Sequence, residues 1–199
     1  MFLIYLNKRI NIIGDFMNYD YNNIYYTEKE FEDIQAHYDG KAEYDNGLIF
    51  LSSNTSIKHN TVKRNILTEI AIYLKGSKCE VYDEQIEVIF NNKDDIRKYK
   101  PDIFVMCDEA DRKAESFISV PKIIFEILSK STAKFDKGRK YNTYEKFGVQ
   151  EYNIVEPNGF IIQHELIDGV YQIVNVYKND DDYISTVFKD LKINLKDIF

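Results

Sequence analysis

The chain has 199 residues, 44% of them hydrophobic, which suits one domain with a proper core. Its net charge of −7 excludes the globally basic character of a nucleic-acid coat protein, although it leaves room for a local basic groove. Cys79 and Cys107 each lie beside or within an apolar segment and neither has a CxxC partner, so the sequence predicts no zinc site or disulfide framework and a cytoplasmic location.

In chain order, residues 1–6 are apolar but too short to span a membrane, and Asn7, Lys8 and Arg9 follow at once without a signal peptide's layout; no membrane association is expected. Residues 1–26 read as a weakly ordered N-terminal extension, with Met17 as an alternative start, ahead of a single domain over 27–199. Thr27 with Glu30 three residues later is a capping box, which predicts a helix over 27–38. Asn46-Gly47 predicts a type I′ hairpin turn within 41–51 and puts Glu43 on its first arm. A helix over 56–75 follows, with His59 starting an inward stripe of Val62, Ile66, Ile70 and Leu74, and Gly76 ending it. Strands are predicted over 79–82, 86–90, 102–106 and 122–128, then one helix over 132–147 stopping at Gly148. The rest reads as β: 151–155, 160–167, an Asp168-Gly169 turn, 170–177 and a last short strand near 183–188. There is no repeat or Pro-rich linker, and the whole is an α+β fold.

Two acids stand out. Glu126 interrupts the apolar run 123–128, where an uncompensated carboxylate costs several kcal/mol of desolvation (order of magnitude), and Asp102 opens the apolar run after Pro101. Two carboxylates on neighbouring strands suit a hard cation such as Mg²⁺, which takes one or two acids plus water and phosphate oxygens. A buried salt bridge from Glu126 to a lysine fits the same spacing.

Helix phasing weighs on that choice. At 100° per residue, Ala133, Tyr144 and Phe147 share one sector of the 132–147 helix; Lys140 falls inside it, and Lys134, Arg139 and Lys146 fall outside. Lys140 can therefore reach toward Glu126. Asp136 lies on the same side, where an ordinary Asp136–Lys140 surface pair would be worth roughly 0.2–0.5 kcal/mol. Residues 130–146 carry six cations (Lys130, Lys134, Lys137, Arg139, Lys140, Lys146) against Asp136 and Glu145, a local +4. Lys58, Lys63 and Arg64 flank His59. Such cations serve phosphate-backbone binding, and equally decorate a solvated helix. Among Ser129, Ser131 and Thr132 any hydroxyl can cap the following helix. His37 and His164 have no partner pattern, and Asp180–Asp182 reads as a solvated turn. No phosphate-binding Gly-rich loop, HExxH, GxSxG or dinucleotide fingerprint occurs.

Taken in order, Pro101-Asp102, Phe125 through Ser129, Ser131-Thr132, Asp136, Lys140, Tyr144 and Gly148 through Tyr152 resemble the Uma-two family, a restriction-endonuclease-like branch of the PD-(D/E)XK nuclease superfamily. Glu43 with Gly47, and Ser56 with His59, fit that family's opening hairpin and first long helix, so the resemblance covers about 27–155. It implies a central mixed β-sheet flanked by helices and a DNA endonuclease in which Asp102 and Glu126 bind Mg²⁺, with Mn²⁺ as a substitute. A lysine would orient or activate the attacking water. The sequence departs from the superfamily at Leu128, where that lysine is usual, and in this branch Lys140 matches the role. Glu43, His59, Asp136 and Tyr144 would support the site, and a homodimer would let the enzyme cut both strands. The alternative is a non-catalytic nucleic-acid- or protein-binding module that retains the fold.

Overall fold

The computed structural model describes residues 11–12, 25–52, 56–107, 110–129 and 136–199. A two-residue strand, β1 (Asn11–Ile12), pairs parallel with a later strand, and helix α1 (Glu28–His37) opens on the predicted capping box. Thr27 Oγ1 accepts from Glu30 N (3.3 Å) and Glu30 Oε2 accepts from Thr27 N (2.8 Å). The hairpin β2 (Lys41–Asp45) and β3 (Leu48–Ser52) turns at Asn46 and Gly47, both at positive φ, as a type I′ turn requires. A side chain at Gly47 would also strike Tyr25, whose Cδ1 lies 2.5 Å from the Cβ position. Helix α2 (Ile57–Leu74) is capped by Ser56, whose Oγ accepts from His59 N, and it buries the predicted stripe of His59, Val62, Ile66, Ile70 and Leu74.

The strands that follow are β4 (Cys79–Asp83), β5 (Val88–Asn92), β6 (Asp95–Tyr99), β7 (Ile103–Cys107), β8 (Arg112–Lys113), β9 (Ser116–Phe117) and β10 (Ile123–Ile127). A π-helical turn, Asp136–Lys140, leads into helix α3 (Tyr141–Phe147). Then come β11 (Glu151–Glu156), β12 (Phe160–Ile167), β13 (Val170–Lys178), β14 (Asp182–Ile184), β15 (Lys192–Asn194) and a 3₁₀ turn, Leu195–Asp197. A mixed sheet runs β13-β12-β11-β10-β7-β4, with β10 and β11 parallel and the other neighbours antiparallel. A second sheet runs β1-β3-β2-β6-β5-β9-β8, and β14 pairs with β15. Among the described residues no helix is long and apolar enough to cross a membrane.

β10 is apolar at nearly every position because both of its faces are covered. Ile123, Phe125 and Ile127 pack with the α2 stripe and the C-terminal residues Tyr183, Leu191, Ile193 and Ile198. Ile124 and Leu128 pack on the other face with Tyr144, Tyr152 and Phe104. Each such side chain contributes about 1.5–3 kcal/mol by leaving water.

The structure corrects several expectations. The segment predicted as one helix over 132–147 is, where described, a π turn followed by a short α-helix, and Gly138 inside that turn is the weakest helix former in it. The strand expected near 183–188 is Asp182–Ile184, and its partner β15 was not predicted. β6 was also unforeseen, because its sequence Asp-Ile-Arg-Lys-Tyr carries a charge on both faces; Lys98 is nevertheless buried, its ammonium paired with Glu28 and Glu32. Cys79 and Cys107 are disulfide-bonded, against expectation. They are register partners across β4 and β7, a proximity that a separation of 28 residues hides.

Candidate active site

Strand ends and one helix bring the site together. In β10 the Leu128 N–H goes to Val155 O on the β11 side, so the Ile127 N–H points toward β7. There Asp102 Oδ2 accepts it at 2.9 Å. The antiparallel register Ile123–Val105, Ile124–Phe104 and Phe125–Ile103, carried one step on, sets Asp102 beside Glu126. Pro101, which has no N–H, starts this strand without leaving a donor unmet.

Glu126 is held by α3 and the π turn before it. Lys140 Nζ lies 2.9 Å from Glu126 Oε1, and Tyr144 donates its hydroxyl to the same oxygen at 2.7 Å. Spacing of four residues stacks Lys140 over Tyr144 on one helical face, which is the phasing that the sequence predicted. Lys140 also lies 3.0 Å from Glu43 Oε1 and over the ring of Tyr99. Burial first, and then the Glu126 and Glu43 charges, push the Tyr144 phenol well above its ordinary value, so it remains a donor.

Glu43 arrives from the second sheet. Besides Lys140, its Oε1 accepts from Lys100 N at 2.8 Å, which ties β2 to the segment entering β7. Asp102 is approached from two further sides: His59 Nε2 lies 3.2 Å from Oδ2, and Lys41 Nζ lies 3.1 Å from Oδ1. Burial alone would raise the Asp102 carboxyl. The Lys41 charge, the His59 hydrogen bond and charge, and Lys140 outweigh it and hold the group well below the usual carboxylate range.

Asp102, Glu126, Lys140, Glu43, His59 and Tyr144 therefore meet in one buried cluster. Asp136 begins the π turn, but its side chain lies outside the described residues, as do Lys130, Ser131, Thr132 and Lys134. Lys137 and Arg139 are exposed and paired with Glu156 and Asp45, Lys146 pairs with Asp95, and Lys63 pairs with Glu84. Among the described residues the exposed cations of the predicted basic cluster, Lys137, Arg139 and Lys146, are thus ion-paired. Leu128 is buried among apolar side chains on the Tyr144 side of β10. Sequence reasoning missed Lys41. The signal was present: residues two apart in a strand share a face, so Lys41 accompanies Glu43.

The carboxylates of Asp102 and Glu126, with Glu43 next to them, form a hard-oxygen donor set that fits a cation of the Mg²⁺ type. Among the described residues no three Asp, Glu, His or Cys side chains are gathered closely enough to cage an ion unaided. Such a cation would complete its shell with water and substrate oxygens.

Comparisons with known proteins bear on the fold and the family. A crystal structure of a "putative nuclease belonging to DUF820" from Anabaena variabilis superposes with a TM-score of 0.68 at 18% identity, over 85% of this chain and 96% of that one, a likeness of fold. "Uncharacterized protein slr1290" of Synechocystis is 30% identical over 143 residues, 70% of this chain and 74% of its own length. A second Synechocystis protein, "Uncharacterized protein sll1609", is 24% identical over 127 residues, 62% of this chain and 71% of its own. The model of the Uma2 family, described as "Putative restriction endonuclease", matches residues 28–196. The chain belongs to the Uma2 family, the one its ordered motifs resemble.

Proposed function

We propose that the protein is a Mg²⁺-dependent DNA endonuclease that hydrolyses phosphodiester bonds, with Mn²⁺ able to substitute. The observation that carries this reading is the meeting of Asp102, Glu126 and the Lys140 ammonium, from two strands and a helix, with Glu43 beside them. Asp102 and Glu126 would hold the cation. When bound, it lowers the pKa of water and neutralises charge gathering on the phosphoryl group. Lys140 fixes the Glu126 and Glu43 carboxylates and orients the attacking water between them. Tyr144 fixes Glu126 from the side of α3, and His59 holds Asp102 in the orientation that also caps Ile127. Water gives up a proton to solvent as it forms the new P–O bond, and the leaving oxygen departs with the electrons of the old bond and takes up a proton from solvent. Asp102→Ala and Glu126→Ala should each abolish metal-dependent cleavage of DNA while circular dichroism stays native; cleavage by both variants at the wild-type rate would refute the assignment.

One observation favours a second reading, a non-catalytic binding module: Lys140 already bridges Glu43 and Glu126 in a position almost closed to solvent. Calorimetry with Mg²⁺ or Mn²⁺ separates the two, since the module predicts no metal binding near neutral pH. Homodimerisation, which would bring two such sites to opposite strands of a duplex, belongs to the endonuclease reading and is checked by sedimentation.

A further inference from the structure

Two ammonium groups serve this site, and they differ in access. The Lys140 side chain is 1% exposed and wedged between Glu43 and Glu126, whereas that of Lys41 is 20% exposed. Lys41 gives one N–H to Asp102 Oδ1 at 3.1 Å, and Glu43 Oε1 stands 4.0 Å away, beyond hydrogen-bond reach. An ammonium has three donors. The other two meet no acceptor among the described residues.

Without a cation the acids Glu43, Asp102 and Glu126 outnumber Lys41 and Lys140; a divalent ion reverses that balance, and an accessible ammonium beside it adds hydrogen-bond donors for an anionic phosphodiester. The nearby cations Lys137, Arg139 and Lys146 are each committed to an acid.

We infer that Lys41 is the substrate-contacting lysine, donating its two remaining N–H groups to a non-bridging oxygen of the phosphodiester, while Lys140 acts on the carboxylates behind it. The inference rests on the nuclease reading above. Lys41 is tethered to the carboxylate assigned to the metal, so a phosphate oxygen held by Lys41 is kept beside Asp102.

The test measures binding of a short labelled DNA duplex by fluorescence anisotropy across a salt series, with Ca²⁺ replacing Mg²⁺ so that the duplex stays intact. Lys41→Met should weaken binding about ten- to a hundredfold, as expected for loss of a charged hydrogen bond. It should also make the slope of log K against log salt shallower by about 0.9, the signature of one lost phosphate contact. Lys41→Arg should keep the wild-type slope. Calorimetric Mn²⁺ binding should persist in Lys41→Met, because the acids remain. An unchanged affinity and slope in folded Lys41→Met, with wild type binding and cutting DNA, would overturn this inference alone. Wild type that neither binds nor cuts DNA would remove the nuclease reading and this inference with it. If Lys41→Met does not fold, NMR of wild-type protein labelled at lysine ¹⁵Nζ decides: DNA should shift the signal that Lys41→Arg removes, and an unmoved signal refutes the contact.

Discussion

Lys140 Nζ and Glu126 Oε1 lie 2.9 Å apart with both side chains 1% exposed, and the same ammonium reaches Glu43 at 3.0 Å. Removing the lysine strands two buried carboxylates. Lys140→Met should therefore destabilise the protein by about 3–5 kcal/mol, the usual cost of breaking a buried pair. Glu126→Gln in the same chain should recover part of that loss, read as non-additivity in urea unfolding.

Leu128 offers a sharper test of the lysine's position. Alternation along β10 places it on the same face as Glu126, where it packs against Tyr144. Leu128→Lys alone should lower the unfolding midpoint, since it buries a charge among apolar groups. Placed in Lys140→Met, it supplies an ammonium on that face, and DNA cleavage should return in part, measured against Lys140→Met itself.

How much of this was legible beforehand depends on periodicity. The Lys140 assignment came from helical phase, and it survives the finding that residues 136–140 form a π turn, because Lys140 and Tyr144 remain one turn apart. The hairpin that carries Glu43 was announced by Asn46-Gly47. Lys41 has no mark of its own in a Lys-rich chain, although strand alternation places it beside Glu43. The Cys79–Cys107 bond and the pairing of β14 with β15 depend on register between distant segments, which no local pattern encodes.

The Asp102 carboxyl titrates well below the usual carboxylate range, with burial opposing and Lys41 and His59 favouring its charged form. A depressed folded value means stabilisation that is complete above the unfolded value, about 3.9, and lost as pH falls through the folded one. The stability gap between wild type and Asp102→Asn should thus be present above about pH 5 and should close as pH falls below about 4. Thermal melts of both proteins over that range check the sign.

Glu151 lies on the opposite face of the sheet from Glu126 and is fully buried with no cation paired to it among the described residues. Its oxygens accept from Asn153, Gln163, Tyr183, Ser185 (2.7 Å), Thr186 N (2.8 Å) and Val187 N (3.2 Å). Glu151→Gln turns an amide donor toward these donors and should cost about 3 kcal/mol, the upper range for hydrogen bonds to a charged group. Amide exchange should rise first across residues 182–199, the segment that this carboxylate holds.

The Cys79–Cys107 bond closes a loop of 28 residues between two paired strands. Cross-links of this span stabilise by about 3–4 kcal/mol in the chain-entropy account. Reduction should therefore lower Tm, and the double variant Cys79→Ser with Cys107→Ser should melt at the reduced value whether or not reductant is added.

Glu43 and Glu126 belong to different sheets and are stapled by a single ammonium from the π turn before α3. The acidic cluster is consequently a gauge of how the two sheets are seated against each other. Heating that loosens this seating, while each sheet keeps its own ladder, would disperse the cluster before any loss of β-structure is seen. A nascent chain acquires its full complement of site groups only once β2, β10, the segment entering β7 and the π turn have all come together.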